Sequence, residues 1–555
     1  MSVRNGFVLL ITLSALTFLV ACGGNGNGII NPTAPPTGGF STSNLNGSYV
    51  FSVSGLDQGG FPYVAVGSFT ANGSGGISGG SVDINDTEFT SGAIAGAPLS
   101  GGSTYTIGLD GRGTATLTFQ NSSNNPFTGS NSITLKFVLQ DSFHGLVIEF
   151  DNTASGSGTI DQQTTGVTPT GTYAFLLSGN AFGASPTPLG LAGNFAVGSG
   201  GTLTGLEDFN EGGANVYAGA TLSGTLVAGP SSTPATTISN PLTNSLQAYD
   251  VYVIDASHMK IIETDSFATL SGDAYAQTTA TLPTTATTLA FTLFGDNASG
   301  VEALGGFMVT DGNGNITNSS SEDFNTNSAV STAAGSFTGT YTAAGTGRYT
   351  FGSFTNFVGG TSYAAYPSSG GVLLLEIDTP GPVAGITAGA AYPQTAGAAF
   401  ASSQGYGLNL TGVNLLGSPA VEVDDIAEFT ANSGGTITGV LDENFAAGGG
   451  PSVDLAFTTS SSSFGAIDSS GRYGLSSPVA NGNNSTLEGG FNLTFYAVDG
   501  SMFPFIEIDS SQPAVGMIIE QNASATTPLS VTGHGSMYVP RPMVVPHSLK
   551  EVKQK

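Results

Sequence analysis

The chain has 555 residues and carries 10 Lys+Arg against 38 Asp+Glu, a formal net charge of −28. So few cations exclude a face that neutralises nucleic-acid phosphates, while 39% hydrophobic content with 34 Phe and 17 Tyr excludes a disordered acidic tract. A single Cys excludes a disulfide framework, and 83 Gly with charged residues at only 9% points to an all-β protein rich in tight turns.

In chain order, residues 1–21 have the three parts of a secretory signal: Arg4, the apolar run Gly6 to Phe18, and small residues ahead of a cleavage point. The run falls short of the roughly 20 apolar residues that a spanning helix needs. Leu19-Val20-Ala21-Cys22 resembles the lipobox of bacterial lipoproteins, with Cys22 the only cysteine of the chain. The resemblance implies recognition of Leu19, Val20 and Ala21 by a signal peptidase, cleavage before Cys22 and acylation of its thiol. Several acyl chains, at about 0.8 kcal/mol per buried methylene, anchor a protein durably where one does not. Gly23 in place of Asp implies, by the same resemblance, the outer membrane or cell surface rather than the inner membrane. Residues 22–44, rich in Gly, Asn and Pro, read as a tether.

From residue 45 the sequence repeats at intervals of about 115 to 125 residues, giving four diverged modules at 45–166, 167–282, 283–399 and 400–535. Residues 536–555 read as a flexible tail. Each module opens on an aromatic or apolar strand (Tyr49-Val50-Phe51, Tyr173-Ala174-Phe175, Leu289-Ala290-Phe291, Tyr406-Gly407-Leu408), followed by an aromatic before a glycine turn at Phe69, Phe195, Phe307 and Phe429. An Asp-x-Asn follows at Asp83/Asn85, Asp208/Asn210, Asp323/Asn325 and Asp442/Asn444. An apolar-apolar-Glu-x-Asp comes near the end at Glu149/Asp151, Glu263/Asp265, Glu376/Asp378 and Glu507/Asp509, and a closing Gln at Gln163, Gln277, Gln394 and Gln521. Module one resolves into about eight short strands separated by turn residues. In one of them Leu135, Phe137 and Leu139 share a face opposite Lys136 and Gln140. Eight strands in sequence without a long crossover predict an antiparallel meander closed as a barrel; a two-sheet sandwich fits the same pattern.

Few residues could carry chemistry. Arg112, Arg348 and Arg472 are three of only five cations in the body, and they occupy equivalent positions in modules one, three and four. Beside recurring acids they suggest structural ion pairs, with the Glu of the Glu-x-Asp strand as a candidate partner. A carboxylate-binding Arg in each module is the functional alternative. Asp83, Glu149, Asp208, Glu263, Asp323, Glu376, Asp442 and Glu507 are read as structural, not catalytic. Asp311, Asn313, Asn315 and Glu322 imitate the 1, 3, 5 and 12 positions of a calcium loop, although position six is Ile316 rather than Gly. His144 and His258, each five residues before the repeat Glu, read as surface turns. Neither a nucleophile elbow, a phosphate loop nor a dinucleotide fingerprint occurs. The expectation is a non-enzymatic, membrane-anchored envelope protein without cofactor, acting in adhesion, binding or surface structure. A small-ligand or glycan binder using barrel interiors or loop ends comes second, and a hydrolase third; the partner would be a glycan or protein and not nucleic acid.

Overall fold

A computed structural model describes residues 39–528, except 90–92, 121–131, 183–185, 228–234, 241–244, 279, 298–299, 327–328, 332–334, 379–384, 417–419, 433, 446–450, 458–462, 466 and 478–490. The signal, the lipobox with Cys22, most of the tether and the tail lie outside the described residues. What is described is antiparallel β-structure with two 3-10 turns, Thr42–Asn44 and Ser199–Gly201. The strands form four sheets in chain order, bounded by Asn46–Gln162, Gly171–Ala276, Thr287–Pro393 and Gln404–Glu520.

Within each sheet the strands follow sequence order, and the last strand pairs with the first, which makes a meander rather than a sandwich. The second sheet is a closed barrel of eight strands. In the third, pairing of Gly300–Thr310 with Asn315–Thr326 completes the ring of strands. The first and fourth have nine strands and a seam, bridged at Gly76/Thr104 and Leu99/Phe119 in the first and at Thr436/Ser463 in the fourth. The fourth strand of the first barrel, Ile94–Pro98, is built from Ile-Ala-Gly-Ala-Pro and lacks the β-branched alternation that marks its neighbours.

Period-two alternation sends one set of side chains inside each barrel. In the first, Phe51, Tyr63, Phe69, Tyr105, Phe119 and Phe137 fill the interior. In the fourth, Phe400 stacks on Phe503 at 3.9 Å and on Phe464 at 4.6 Å between ring centroids. Leu135, Phe137 and Leu139 face the interior of the first barrel as their alternation predicted. Phe307 departs from the repeat. Its counterparts Phe69, Phe195 and Phe429 lie inside barrels, stacked on Tyr49, Tyr173 and Tyr406. In the third barrel Met308 takes that inner place opposite Leu289, and Phe307 points outward onto Tyr496 of the fourth.

Four glycines, each five residues before the closing Gln, let the last strand press against the first. A Cβ at Gly158, Gly272, Gly389 or Gly516 would lie 1.8 to 2.1 Å from the carbonyl oxygen of Ser52, Leu176, Thr292 or Asn409.

The outward side chains of the strands at each wall are also buried, because the barrels pack on one another. The first three strands of each barrel meet the last three of the next, and those of the fourth meet the last three of the first, so the four barrels close into a ring. One apolar cluster draws on all four: Leu146 and Ile148, then Leu176 and Tyr275, then Leu373 and Tyr392, then Met502 and Ile519. Burying a large apolar side chain contributes about 1.5–3 kcal/mol, so this shared core supplies the bulk of the cohesion. Polar contacts then fix how the barrels register.

Candidate functional site

The recurring polar residues converge on the junctions between barrels. In Asp-x-Asn, the middle residue points inside its own barrel, as Ile84, Phe209 and Phe324 show. The flanking Asp and Asn therefore share the outer face. A buried polar pair on the outside of a barrel must find its partners on a neighbour.

The Asn does so with its amide, whose two N–H groups bridge carbonyls left open where two strands of the next barrel part at a turn. Asn85 Nδ2 donates to Glu263 O and Ala268 O, both at 2.9 Å. Asn210 reaches Glu376 O at 2.8 Å and Gly385 O at 3.0 Å. Asn325 reaches Glu507 O at 2.9 Å and Asp509 O at 2.7 Å. Asn444 closes the circle on the first barrel, at Glu149 O (2.8 Å) and Ala154 O (3.0 Å). The closing Gln repeats the device. Gln163 donates to Val253 O, Gln277 to Gly347 O and Pro367 O, Gln394 to Ser470 O and Ala497 O, and Gln521 to Asp110 O and Leu139 O, at 2.7 to 3.0 Å.

The Asp side chains receive charge. Arg348 grips Asp208 of the second barrel with Nε and Nη2 at 2.7 and 2.6 Å, and Tyr366 donates its hydroxyl to the same carboxylate. Arg472 grips Asp323 at 2.7 Å through each of Nε and Nη2, with the Tyr496 hydroxyl at 2.9 Å. Arg112 Nη1 reaches Asp442 at 2.9 Å and Lys136 Nζ joins at 3.3 Å. All three carboxylates are fully buried. Arg112, Arg348 and Arg472 thus pair with the neighbour's Asp, which corrects the expected pairing with Glu. Arg112 projects outward next to Gly113, Ala115 and Leu117, which alternate with outward residues as the buried inner set of their strand. The Glu of Glu-x-Asp follows the opposite alternation, with Ile148 outward and Val147 inward, so Glu149 faces the barrel interior. The barrel wall separates the two sets.

Those inner acids are held by burial rather than by cations. Burial raises Glu149 well above the usual carboxylate range, and among the described residues neither of its oxygens has a hydrogen-bond partner. Burial likewise raises Glu376 to about 8, although its Oε2 accepts from Thr387 N at 3.0 Å and Thr387 Oγ1 at 2.8 Å. Glu507 accepts from Gln512 Nε2 at 2.9 Å.

The first–second junction differs from the rest. Asp83 receives the Tyr252 hydroxyl at 2.6 Å and the Gly96 N–H, and among the described residues no guanidinium reaches it. Burial, and after it the charge of Asp250, raises Asp83 to about 7. Beside them runs an ion network: Lys260 Nζ lies 3.2 Å from Asp161 and 3.1 Å from Asp273, His144 lies 2.9 Å from Asp161, and His258 lies 2.7 Å from Asp273. His144 and His258 are therefore 15% and 9% exposed network members, a correction to their reading as surface turns. The signal available in sequence was Asp161 and Asp273, each 15 to 17 residues further on and brought alongside by the final hairpin.

The calcium reading is also corrected. Asp311 Oδ1 accepts from Asn313 N at 2.7 Å and Asn315 N at 3.0 Å, and Oδ2 from Asn315 Nδ2 at 2.6 Å, so the turn itself uses the carboxylate. Glu322 lies seven residues along the following strand, roughly 20 Å away, where it accepts from Val358 N. Among the described residues no group of three or more His, Cys, Asp and Glu could hold a metal. A cleft of about 510 Å³ beside Gly474, Leu475, Leu493 and Ile508 opens on the fourth barrel. It borders segments outside the described residues, and no function is read from it.

No family model matches the chain, and no curated protein does. Among solved structures, transferrin binding protein B from serogroup B Neisseria meningitidis aligns at 11% identity over 68% of this chain and 85% of that one, with a TM-score of 0.19. A variant of the Haemophilus parasuis protein aligns at 9% identity over 70% and 83%, also at 0.19. The intact Ap-TbpB with its N and C lobes aligns at 10% over 86% and 95%, at 0.17. Scores this low carry no argument about a shared arrangement or partner.

Proposed function

We propose that this protein is a lipid-anchored, non-enzymatic component of the bacterial envelope, displayed at the outer membrane or cell surface, with its ring of barrels serving in adhesion, binding or surface structure. The observation that carries the reading is the only cysteine of the chain standing at the last position of Leu19-Val20-Ala21-Cys22. Two features of the fold support the absence of chemistry: interiors packed with aromatic side chains, and recurring acids and arginines engaged in holding barrels together. A glycan or protein partner would then meet the loop ends, not the barrel interiors. Mass spectrometry of the mature N-terminal peptide should find acylated Cys22, and Cys22→Ser should move the protein from the membrane to the soluble fraction. An unmodified Cys22 in membrane-purified protein would defeat the anchor. A glycan array probed with the intact ring tests the binding reading.

A further inference from the structure

We propose that the ring lies with one particular face toward the lipid surface, the face that carries the linkers between barrels, and presents the opposite face outward. The orientation rests on the anchor at Cys22 proposed above and adds a direction to it. In each barrel the first and last strands are antiparallel neighbours, so the chain enters and leaves at the same end. All three linkers lie at such ends, between Gln162 and Gly171, Ala276 and Thr287, and Pro393 and Gln404. Hydrogen bonds across the junctions put these ends on one face of the ring. The closing Gln, at the linker end of its barrel, seats on carbonyls at the linker end of the next, such as Val253 O, Gly347 O and Ser470 O. The Asn of Asp-x-Asn, at the other end, seats beside the last turn of its neighbour, on Glu263 O, Glu376 O, Glu507 O and Glu149 O. Bridges at both ends of a junction hold two barrels side by side and pointing the same way, and four junctions carry this around the ring.

The described body also starts on the linker face. The Phe40 N–H donates to Leu109 O at 3.0 Å, one residue from the Asp110 O that receives Gln521 at 2.9 Å. Between Cys22 and Phe40 lie 17 residues, and a Gly-rich chain of that length spans about 20–25 Å root-mean-square. The opening strands have 11 or 12 residues. At about 3.3 Å per residue and a tilt of about 40° they make a wall roughly 28–30 Å tall. With the linker face inward the chain meets the lipid within its ordinary span; with the other face inward it must stretch past the whole wall. Charge favours the same direction. Five strands begin at the linker face on Arg or His: Arg112–Thr118, His144–Phe150, His258–Glu263, Arg348–Thr355 and Arg472–Ser477. Lys260 is the third residue of its strand, and Lys136 lies midway along Ser132–Leu139. The opposite face carries Asp151, Asp265, Asp378 and Asp509, and among the described residues it has no Lys, Arg or His. Acids such as Asp311 and Asp468 occur on the linker face too, so the cations are what makes the ends unequal. An anionic lipid surface therefore repels the outer face more strongly.

Acylation would occupy the only native thiol, so single introduced cysteines can be spin-labelled selectively in the full chain. Thr165→Cys, Thr284→Cys and Ser402→Cys sample the three linkers, and Asn152→Cys, Ser266→Cys and Ser510→Cys sample the opposite turns, all at exposed positions. In phosphatidylethanolamine–phosphatidylglycerol vesicles containing a nickel-chelating lipid, relaxation of the label should speed several-fold at the three linker sites and stay at the nickel-free rate at the three turns. Flotation of the same vesicles reads the anchor separately: protein that fails to float defeats acylation of Cys22 and leaves the orientation to a second measurement. There a chain from residue 23, held on the same lipid by an N-terminal hexahistidine, carries the same six labels and should give the same contrast. Equal relaxation at both sets, faster relaxation at the turns, or none at either set would overturn the orientation.

Discussion

Arg348→Ala tests whether the ring is one cooperative body. The guanidinium is 5% exposed and the Asp208 carboxylate it grips is fully buried. Removing one partner of such a pair strands the other and costs about 3–5 kcal/mol. How that loss shows in a thermal scan depends on what unfolds together. At roughly 2.1 cal/mol/K of unfolding entropy per residue, a ring of about 490 residues unfolding as a unit loses about 3–5 °C in Tm. A single barrel of about 115 residues unfolding alone would lose about 12–20 °C. Calorimetry should therefore show one transition displaced by the smaller amount. Adding Asp208→Asn should recover part of the loss, because the stranded charge is then gone, and Tyr366 can still donate to the amide oxygen. A shift below about 1 °C would refute the claim that this contact couples the barrels. A large displacement of one transition among several would refute the claim that they unfold together.

The buried acids predict an inverted pH profile. Burial raises Glu207 and Glu302 to about 7 and Glu322, Glu376 and Glu428 to about 8. Their folded values exceed the unfolded one, so the stabilisation is complete below the ordinary Glu value of about 4.3 and disappears as pH rises through 7 to 8; Tm at pH 5 should exceed Tm at pH 9. Glu376→Gln keeps an acceptor for Thr387 and removes the ionisation, so it should leave stability at pH 5 nearly unchanged and raise it at pH 9 by a few kcal/mol, on the order set by 1.36 kcal/mol per unit, as read by denaturant titration at both pH values. Gly158→Ala places a methyl 1.8 Å from the Ser52 carbonyl oxygen. Backbone cannot yield as a side chain does, so the cost should exceed about 3 kcal/mol and appear as a lowered denaturation midpoint or loss of soluble protein.

Fold class and strand order were legible because turn residues and alternation are local signals. The interior of the first barrel follows from the spacing of Leu135, Phe137 and Leu139 alone. The junctions were visible only as unexplained repetition, since Asn85 finds its partners 178 and 183 residues away. A better inference was available: Asp and Asn two apart share a face, and Ile84, Phe209 and Phe324 between them must point inward, so the polar pair faces out. What no local pattern reveals is that the outer face is itself buried. The repeating Glu misled for the same reason: its recurrence alongside the Arg suggested a pair, and no local pattern shows that the barrel wall lies between them. Phe307 shows the limit of landmark alignment, its inner role having passed to Met308.

The closed ring also bears on where the chain could be cut. Asn44 Nδ2 donates to Ala523 O at 3.0 Å, and Gln521 is seated on the first barrel, so the two ends of the described body meet at the fourth–first junction. That junction has no covalent link of its own, yet it carries the same amide bridges as the linked ones and, like the second–third and third–fourth junctions, an Arg–Asp pair. A circular permutant that joins those ends and reopens the chain between the second and third barrels should therefore assemble the same ring. The order in which the barrels are strung would then be an accident of where the gene starts, while the order in which they touch is what the side chains encode.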